Sequence, residues 1–165
     1  MLDPKELHVL AVSLWNAPNP TDAELRRAVS TVYYAVFHTI AQAAADLFVG
    51  SHMRNAAAYA VLYRSFDHGH MARTCRDLQS QTLAAKYQRI LGLLRLSDET
   101  RGFARGFPRL QQERHLADYD PNREFDPSNV LGLIKEAEFV LENFWKIADD
   151  EKRAVLALMM VRIRE

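Results

Sequence analysis

Cysteine, net charge and long apolar runs are all scarce in this sequence, and each absence excludes something. The 165 residues include one cysteine, Cys75, which excludes an intramolecular disulfide and a metal site built on several thiolates. The 21 basic residues balance the 21 acidic ones, so the bulk charge demands no polyanionic partner. The longest uncharged stretch, residues 28–45, is too polar to predict a membrane span, and the first ten residues do not resemble a signal peptide. We therefore expect a cytoplasmic protein without a membrane association.

Glycine and proline are also few, at six each, and they separate segments that all have helical periodicity. Alternation of period two is missing, so the sequence predicts no strand. The fold class predicted is all-α, with one domain over residues 1–165 built as an antiparallel bundle of about five to six helices. Its core spans about residues 5–146. An additional C-terminal helix, residues 150–164, either packs on the bundle or offers a surface to a partner, and the sequence does not separate these roles.

The longest predicted helix opens at Thr21 with a capping-box pattern and contains the stretch "RRAVSTVYYAVFH", residues 26–38. At about 100° per residue, one side of this helix carries polar groups beside a broad apolar face. Tyr and His often lie at the edge of a core with their polar tips satisfied by another helix, which is the structural interpretation. A binding site is the functional one. The side in question carries Arg27, Thr31, Tyr34 and His38.

A second polar segment is "ERHLADYD", residues 113–120, which we predict to lie at the end of a later helix. Arg114 and Asp118 are four residues apart, so an ordinary intrahelical ion pair is the simplest interpretation. Together with His115 and Tyr119, however, they place a cation, a titratable imidazole and hydrogen-bonding groups within two turns. Such a cluster can bind phosphate through Arg114 while His115 moves a proton.

The segment "DHGH", residues 67–70, invites a metal interpretation, because Asp67, His68 and His70 are all competent zinc ligands. A second cluster with suitable spacing is missing from the sequence, so we expect no metal. We expect the segment to be a turn that separates two helical pieces, over about residues 55–66 and 71–93. The sequence also has neither a glycine-rich phosphate loop nor a "G-x-S-x-G" nucleophile motif, and we predict no cofactor.

The stretch "AELRRAVSTVYYAVFH", followed about 80 residues later by "RHLADYDP" and then by "VLGLIKEAEFVLENF", resembles the HEPN domains. The resemblance is closest to a prokaryotic branch with "YYA-x-F-H" and "R-x-x-A-D-Y-D" motifs, and it covers roughly residues 5–146. It implies an all-α bundle that forms a homodimer and a toxin or regulatory module. It also implies a nucleotidyltransferase-type antitoxin as partner and RNA or a nucleotide as ligand. Active toxins of the family are metal-independent ribonucleases with an arginine, four to six residues, and a histidine at the dimer interface.

This sequence departs from the ribonuclease pattern, because Tyr119 stands where the histidine is expected after Arg114. Literal matches at Arg109–His115 and Arg64–His70 are about as many as chance gives. If the chain is catalytic, the resemblance implies that Arg114 stabilises charge and that His38 or His115 is the acid or base. A non-catalytic helical protein-interaction module is the alternative. The expected catalytic residues are Arg114, His38, His115 and Tyr119, and the expected binding residues are Arg27, Tyr34, Asp118 and Arg109, with Arg114 in one groove with Tyr34 or His38.

Overall fold

A computed structural model describes residues 2–92 and 95–162 of the chain, and these residues form eight α-helices and no strand. The predicted all-α fold class is therefore confirmed, whereas the expected helix count of about five to six is lower than the number seen. A π-helical turn over Asp46–Gly50 and a 3₁₀ turn over Ser51–Met53 extend the second helix. The helices are α1 Pro4–Trp15, α2 Asp22–Ala45, α3 Ala57–Tyr63, α4 His68–Leu78, α5 Ala85–Leu91, α6 Asp98–Tyr119, α7 Pro127–Lys146 and α8 Asp149–Met160.

Helix α2 is the central helix of the bundle and packs against α1, α6 and α7. It begins with the predicted capping box: the Thr21 hydroxyl accepts a hydrogen bond from the Glu24 amide (3.3 Å), and the Glu24 carboxylate accepts one from the Thr21 amide (2.8 Å). The helical stretch Asp22–Met53 is long and apolar enough to cross a membrane by length and composition. Half of its apolar window is buried inside the fold, as the core helix of a bundle requires. Its fully buried side chains include Ala28, Val32, Val36 and Ile40.

The segment between α2 and α6 differs most from the sequence prediction. Two pieces were expected, over residues 55–66 and 71–93, with "DHGH" as a turn between them. Instead, Asp67 caps α4 by accepting a hydrogen bond from the His70 amide (2.7 Å), so that His68 and His70 lie in the first helical turn. The second piece divides into α4 and α5, and residues 93 and 94 lie outside the described ranges. Among described residues, no group of three or more potential ligands is placed to hold a metal ion.

Helix α6 is continuous, although glycine and proline, such as Pro108 in its first half, ordinarily disrupt a helix. Close packing against α7 explains one glycine of α6: a Cβ at Gly106 would lie 2.3 Å from Cγ2 of Val140. The start of α6 is held by α8, because the Glu151 carboxylate accepts hydrogen bonds from the amide (3.0 Å) and hydroxyl (2.8 Å) of Ser97. The apolar side chains of α8 are buried against the bundle, including Val155. Residues 163 and 164 of the predicted C-terminal helix lie outside the described part.

Candidate functional site

Arg114 belongs to α6, and its side chain lies against α2. It is the most buried charged residue of the described chain, with 9% of its surface exposed. Its Cζ atom is 5.2 Å from the ring centroid of Tyr33 and 5.5 Å from that of Tyr34. Both distances are within the range of cation–π attraction, which is stronger for a cation removed from water. The expected proximity of Arg114 and Tyr34 is thus present in the structure.

The charge of Arg114 is only partly compensated by protein groups. Its Nη1 atom is 3.5 Å from Oδ2 of Asp118, longer than the 2.7–2.9 Å of a good charge-assisted hydrogen bond. The other carboxylate oxygen of Asp118 accepts a hydrogen bond from the hydroxyl of Ser30 on α2. The buried Nε of Arg114 has no hydrogen-bond partner among the described residues. Because this Nε is shut off from solvent, the donors that remain for an anionic ligand are the Nη groups, which have Asp118 as their ion-pair partner.

His68, at the start of α4, supplies an imidazole next to the rings of Tyr33 and Tyr34. Its Nδ1 is hydrogen-bonded to the hydroxyl of the fully buried Tyr33 (2.7 Å), and its ring packs on Phe37 with centroids 4.0 Å apart. Burial lowers the pKa of His68 from its ordinary value of 6.5, and the positive charge of Arg114 lowers it further. His68 is therefore neutral near neutral pH.

His38 supplies a second neutral imidazole on α2. Its ring stacks on Tyr34 (centroids 5.9 Å apart), and its Nδ1 is hydrogen-bonded to the hydroxyl of Tyr63 on α3 (2.7 Å). Burial lowers the pKa of His38 below 6.5. The Tyr34 ring also lies 6.0 Å from that of His68, so this tyrosine stands between the two histidines. We call the set Arg114, Tyr33, Tyr34, His38 and His68 the Arg114 cluster.

The other expected site residues lie outside this cluster. Arg27 is exposed on α2, and Arg109 forms an ion pair with Glu136 of α7 (3.1 Å). His115 is exposed, and its ring contacts that of Tyr119 (centroids 4.9 Å apart), which is itself 67% exposed. The structure therefore brings together Arg114, Asp118, Tyr34 and His38, and leaves Arg27, Arg109, His115 and Tyr119 at the surface of the bundle.

Arg26 is a neighbour of the cluster that the sequence analysis missed. Its Nη1 donates hydrogen bonds to the carbonyls of Ala117 (3.2 Å) and Asp120 (2.9 Å), which tie α2 to the end of α6. The side of α2 that faces α6 is thus rotated by one residue from the predicted side, and carries Arg26 where Arg27 was expected. Positions 26, 30, 33 and 37 fall within one narrow arc of a helix with 100° per residue, but positions 27, 31, 34 and 38 do so equally, so helical periodicity does not distinguish the two sides.

The chain matches no protein-family model, no curated protein and no solved structure. A buried guanidinium with unused donors, two aromatic rings beneath it and two neutral imidazoles nearby form a site that can bind an anion and exchange a proton.

Proposed function

We propose that the chain is a HEPN-like RNA- or nucleotide-binding protein that cleaves RNA at the Arg114 cluster without a metal ion. In this proposal it acts as a cytoplasmic toxin or regulatory module controlled by a nucleotidyltransferase-type antitoxin. One observation carries the proposal: the incompletely paired guanidinium of Arg114 lies over Tyr34, whose ring is flanked by the neutral imidazoles of His38 and His68.

The chemistry follows from these groups. Arg114 binds a non-bridging oxygen of the phosphodiester and stabilises the charge that develops there. The neutral imidazole of His38 takes the proton of the neighbouring 2′-hydroxyl, whose oxygen forms a bond to phosphorus. The bond between phosphorus and the 5′-oxygen breaks, and that oxygen takes up a proton from water. The products are a 2′,3′-cyclic phosphate and a 5′-hydroxyl.

One surface feature supports a proposed partner, the antitoxin, whereas the proposed homodimer rests on the sequence resemblance alone. The hydroxyl of Tyr119, at the exposed end of α6, is accessible to an antitoxin that transfers a nucleotidyl group. In that step the oxygen of Tyr119 bonds to the α-phosphorus of a nucleoside triphosphate and pyrophosphate leaves.

The second candidate function is a non-catalytic helical interaction module. It is favoured by the burial of Arg114 and Tyr33, because this pair also holds α2 against α6. In that case the Arg114 cluster only orders the bundle, and its loss changes stability without any effect on RNA.

The two candidates are separated by an RNA cleavage assay in EDTA with the purified full chain. We expect cleavage that yields 2′,3′-cyclic phosphate ends and is lost in Arg114→Ala and in His38→Ala. His115→Ala is the matched control, since His115 is the exposed neighbour of Arg114 and lies outside the cluster. Circular dichroism shows whether each variant keeps its helices.

The outcomes are distinct. Cleavage that needs His115 but not His38 places the chemistry on the exposed face of α6 and contradicts the assignment to the cluster. Failure to cleave or bind any RNA, with all variants folded, favours the interaction module.

A further inference from the structure

A cavity of about 290 Å³ opens beside the Arg114 cluster, between α2 and α3. Its lining includes His38, Tyr63, Arg54 and Arg64. His38 therefore belongs both to the cluster and to the cavity wall. Ligand-binding clefts range from about 300 to about 1,000 Å³, so this cavity is at the lower limit and matches one small ligand and not an extended one.

A row of aromatic rings leads from Arg114 into this cavity. The rings of Tyr34 and His38 are neighbours (centroids 5.9 Å apart, planes 24° apart), and the parallel rings of His38 and Tyr63 are joined edge to edge by their hydrogen bond (5.8 Å, 8°). Tyr63 in turn stacks on Tyr59 (6.5 Å, 19°), which is fully buried. Four nearly parallel rings thus connect the cluster with the far wall, and the half-buried Tyr63 is the ring that faces the cavity together with His38. Rows of this kind suit flat aromatic ligands, because every nucleobase has a π face.

The rim of the cavity carries positive charge held in a defined position. Arg54 forms a two-point contact with Asp46, through Nε to Oδ1 (3.1 Å) and Nη2 to Oδ2 (2.6 Å). The hydroxyl of Tyr59 donates a further hydrogen bond to Asp46 (2.8 Å), which fixes the pair. Arg64 adds an exposed guanidinium at the same cavity. Two arginines against one carboxylate give this rim a net positive charge, which favours a phosphate.

We propose that the cavity binds the base and phosphate of one nucleotide of single-stranded RNA, adjacent to the nucleotide whose phosphate lies at Arg114. The proposal rests on the function proposed above and names a recognition subsite for it. The base stacks on Tyr63, the phosphate pairs with Arg64 and Arg54, and His38 forms the wall shared by the two positions.

The test is calorimetric titration of the full chain in EDTA, with adenosine 5′-monophosphate and with a single-stranded RNA pentamer whose 2′-hydroxyls are methylated, so that the proposed cleavage cannot consume it. Tyr63→Leu is expected to weaken adenosine monophosphate binding about fivefold or more, because the stacking surface is lost. Tyr63→Phe keeps the ring, loses only the hydrogen bond to His38 and is expected to bind as wild type does. Arg64→Gln is expected to lower the slope of log affinity for RNA against log salt by about one. Arg153→Gln, an exposed position on α8, is the matched control.

The proposal is overturned if adenosine monophosphate fails to bind, or binds equally well to wild type, Tyr63→Leu and Arg64→Gln. It is also overturned if inorganic phosphate competes as well as the nucleotide does, because the base then contributes nothing. Either result, together with RNA binding that depends on Arg114, refutes the subsite and leaves the proposed function intact. Nucleotide binding that needs Tyr63 and Arg64, with RNA binding indifferent to Arg114, supports the cavity as a nucleotide site and refutes the proposed function.

Discussion

The guanidinium of Arg114 lies over the ring of Tyr34, with Cζ 5.5 Å from the ring centroid, although the two residues are far apart in the sequence. This contact joins α6 to α2 at the place where the two histidines of the cluster meet Tyr34. A change at Arg114 is therefore expected to affect both the stability of the fold and RNA cleavage, because the side chain that holds α6 against α2 is also the one proposed to bind the phosphodiester.

The cluster is expected to make the fold sensitive to mild acid. Burial lowers the folded-state pKa of His38 and of His68 below 6.5, with Arg114 as a further cause at His68. The unfolded chain therefore binds more protons below about pH 6.5, and the free energy of unfolding falls as pH drops from 7 toward the folded-state pKa values. Urea unfolding at pH 7 and pH 5.5 measures this fall.

The matched variants are His68→Asn and His115→Asn. The first removes one of the buried imidazoles and is expected to reduce the loss of stability between the two pH values. The second changes an exposed residue and is expected to keep the wild-type dependence. An identical loss in wild type and His68→Asn would show that other groups cause the acid sensitivity.

Two glycines test the packing of α6 against α7. Gly106→Ala places a methyl group 2.3 Å from Val140 and is expected to destabilise the fold by about 1–3 kcal/mol. Gly132→Ala, on the exposed side of α7, meets nothing within 4 Å and is expected to stabilise it by about 0.5–1 kcal/mol. Denaturant unfolding of both variants gives the sign of each change in the free energy of unfolding. Equal changes in the two variants would contradict the close approach of α6 and α7.

The two adjacent arginines of α2 are expected to differ in their effect on stability: Arg26 holds α2 to the end of α6, and Arg27 is exposed. Arg26→Met removes the donors that hold the carbonyls of Ala117 and Asp120, and is expected to cost about 1–3 kcal/mol. Arg27→Met changes an exposed side chain and is expected to alter stability by less than about 0.5 kcal/mol. Thermal unfolding compares them, and a larger loss in Arg27→Met would reverse the assignment.

Much of the fold follows from local sequence signals. The capping box at Thr21, the Asp126–Pro127 start of α7 and the 3.6-residue periodicity of α2 and α7 all predict elements that the structure contains. The helices between α2 and α6 were harder to predict from the sequence, because α3 and α5 have only seven residues each and lack a side-chain N-cap. In the absence of such signals, tertiary contacts determine where short helices begin and end.

Site residues could be predicted from the sequence where their spacing placed them on one side of a single helix. Tyr34, His38, Arg114 and Asp118 were identified from spacing within α2 and α6. His68 and Tyr63 were missed as partners, since they lie on α4 and α3 and only the tertiary fold brings them to Tyr33 and His38. The neighbours Ser30, Tyr33 and Arg26 were missed because the α6-facing side of α2 was placed one residue away from its position in the structure.

The most direct test of the central claim is the affinity for single-stranded RNA whose 2′-hydroxyls are methylated, so that the proposed cleavage cannot consume it. It is measured by fluorescence anisotropy in EDTA for wild type, Arg114→Gln and Arg105→Gln. Arg105 is exposed on the same helix and is the matched control for charge. Circular dichroism and thermal melting verify that the variants are folded, and Arg114→Lys, which keeps the charge, is a second variant at the site. We predict that Arg114→Gln weakens binding about tenfold or more while Arg105→Gln binds as wild type does. Equal affinities for folded Arg114→Gln and wild type would contradict the assignment of the RNA site to the Arg114 cluster.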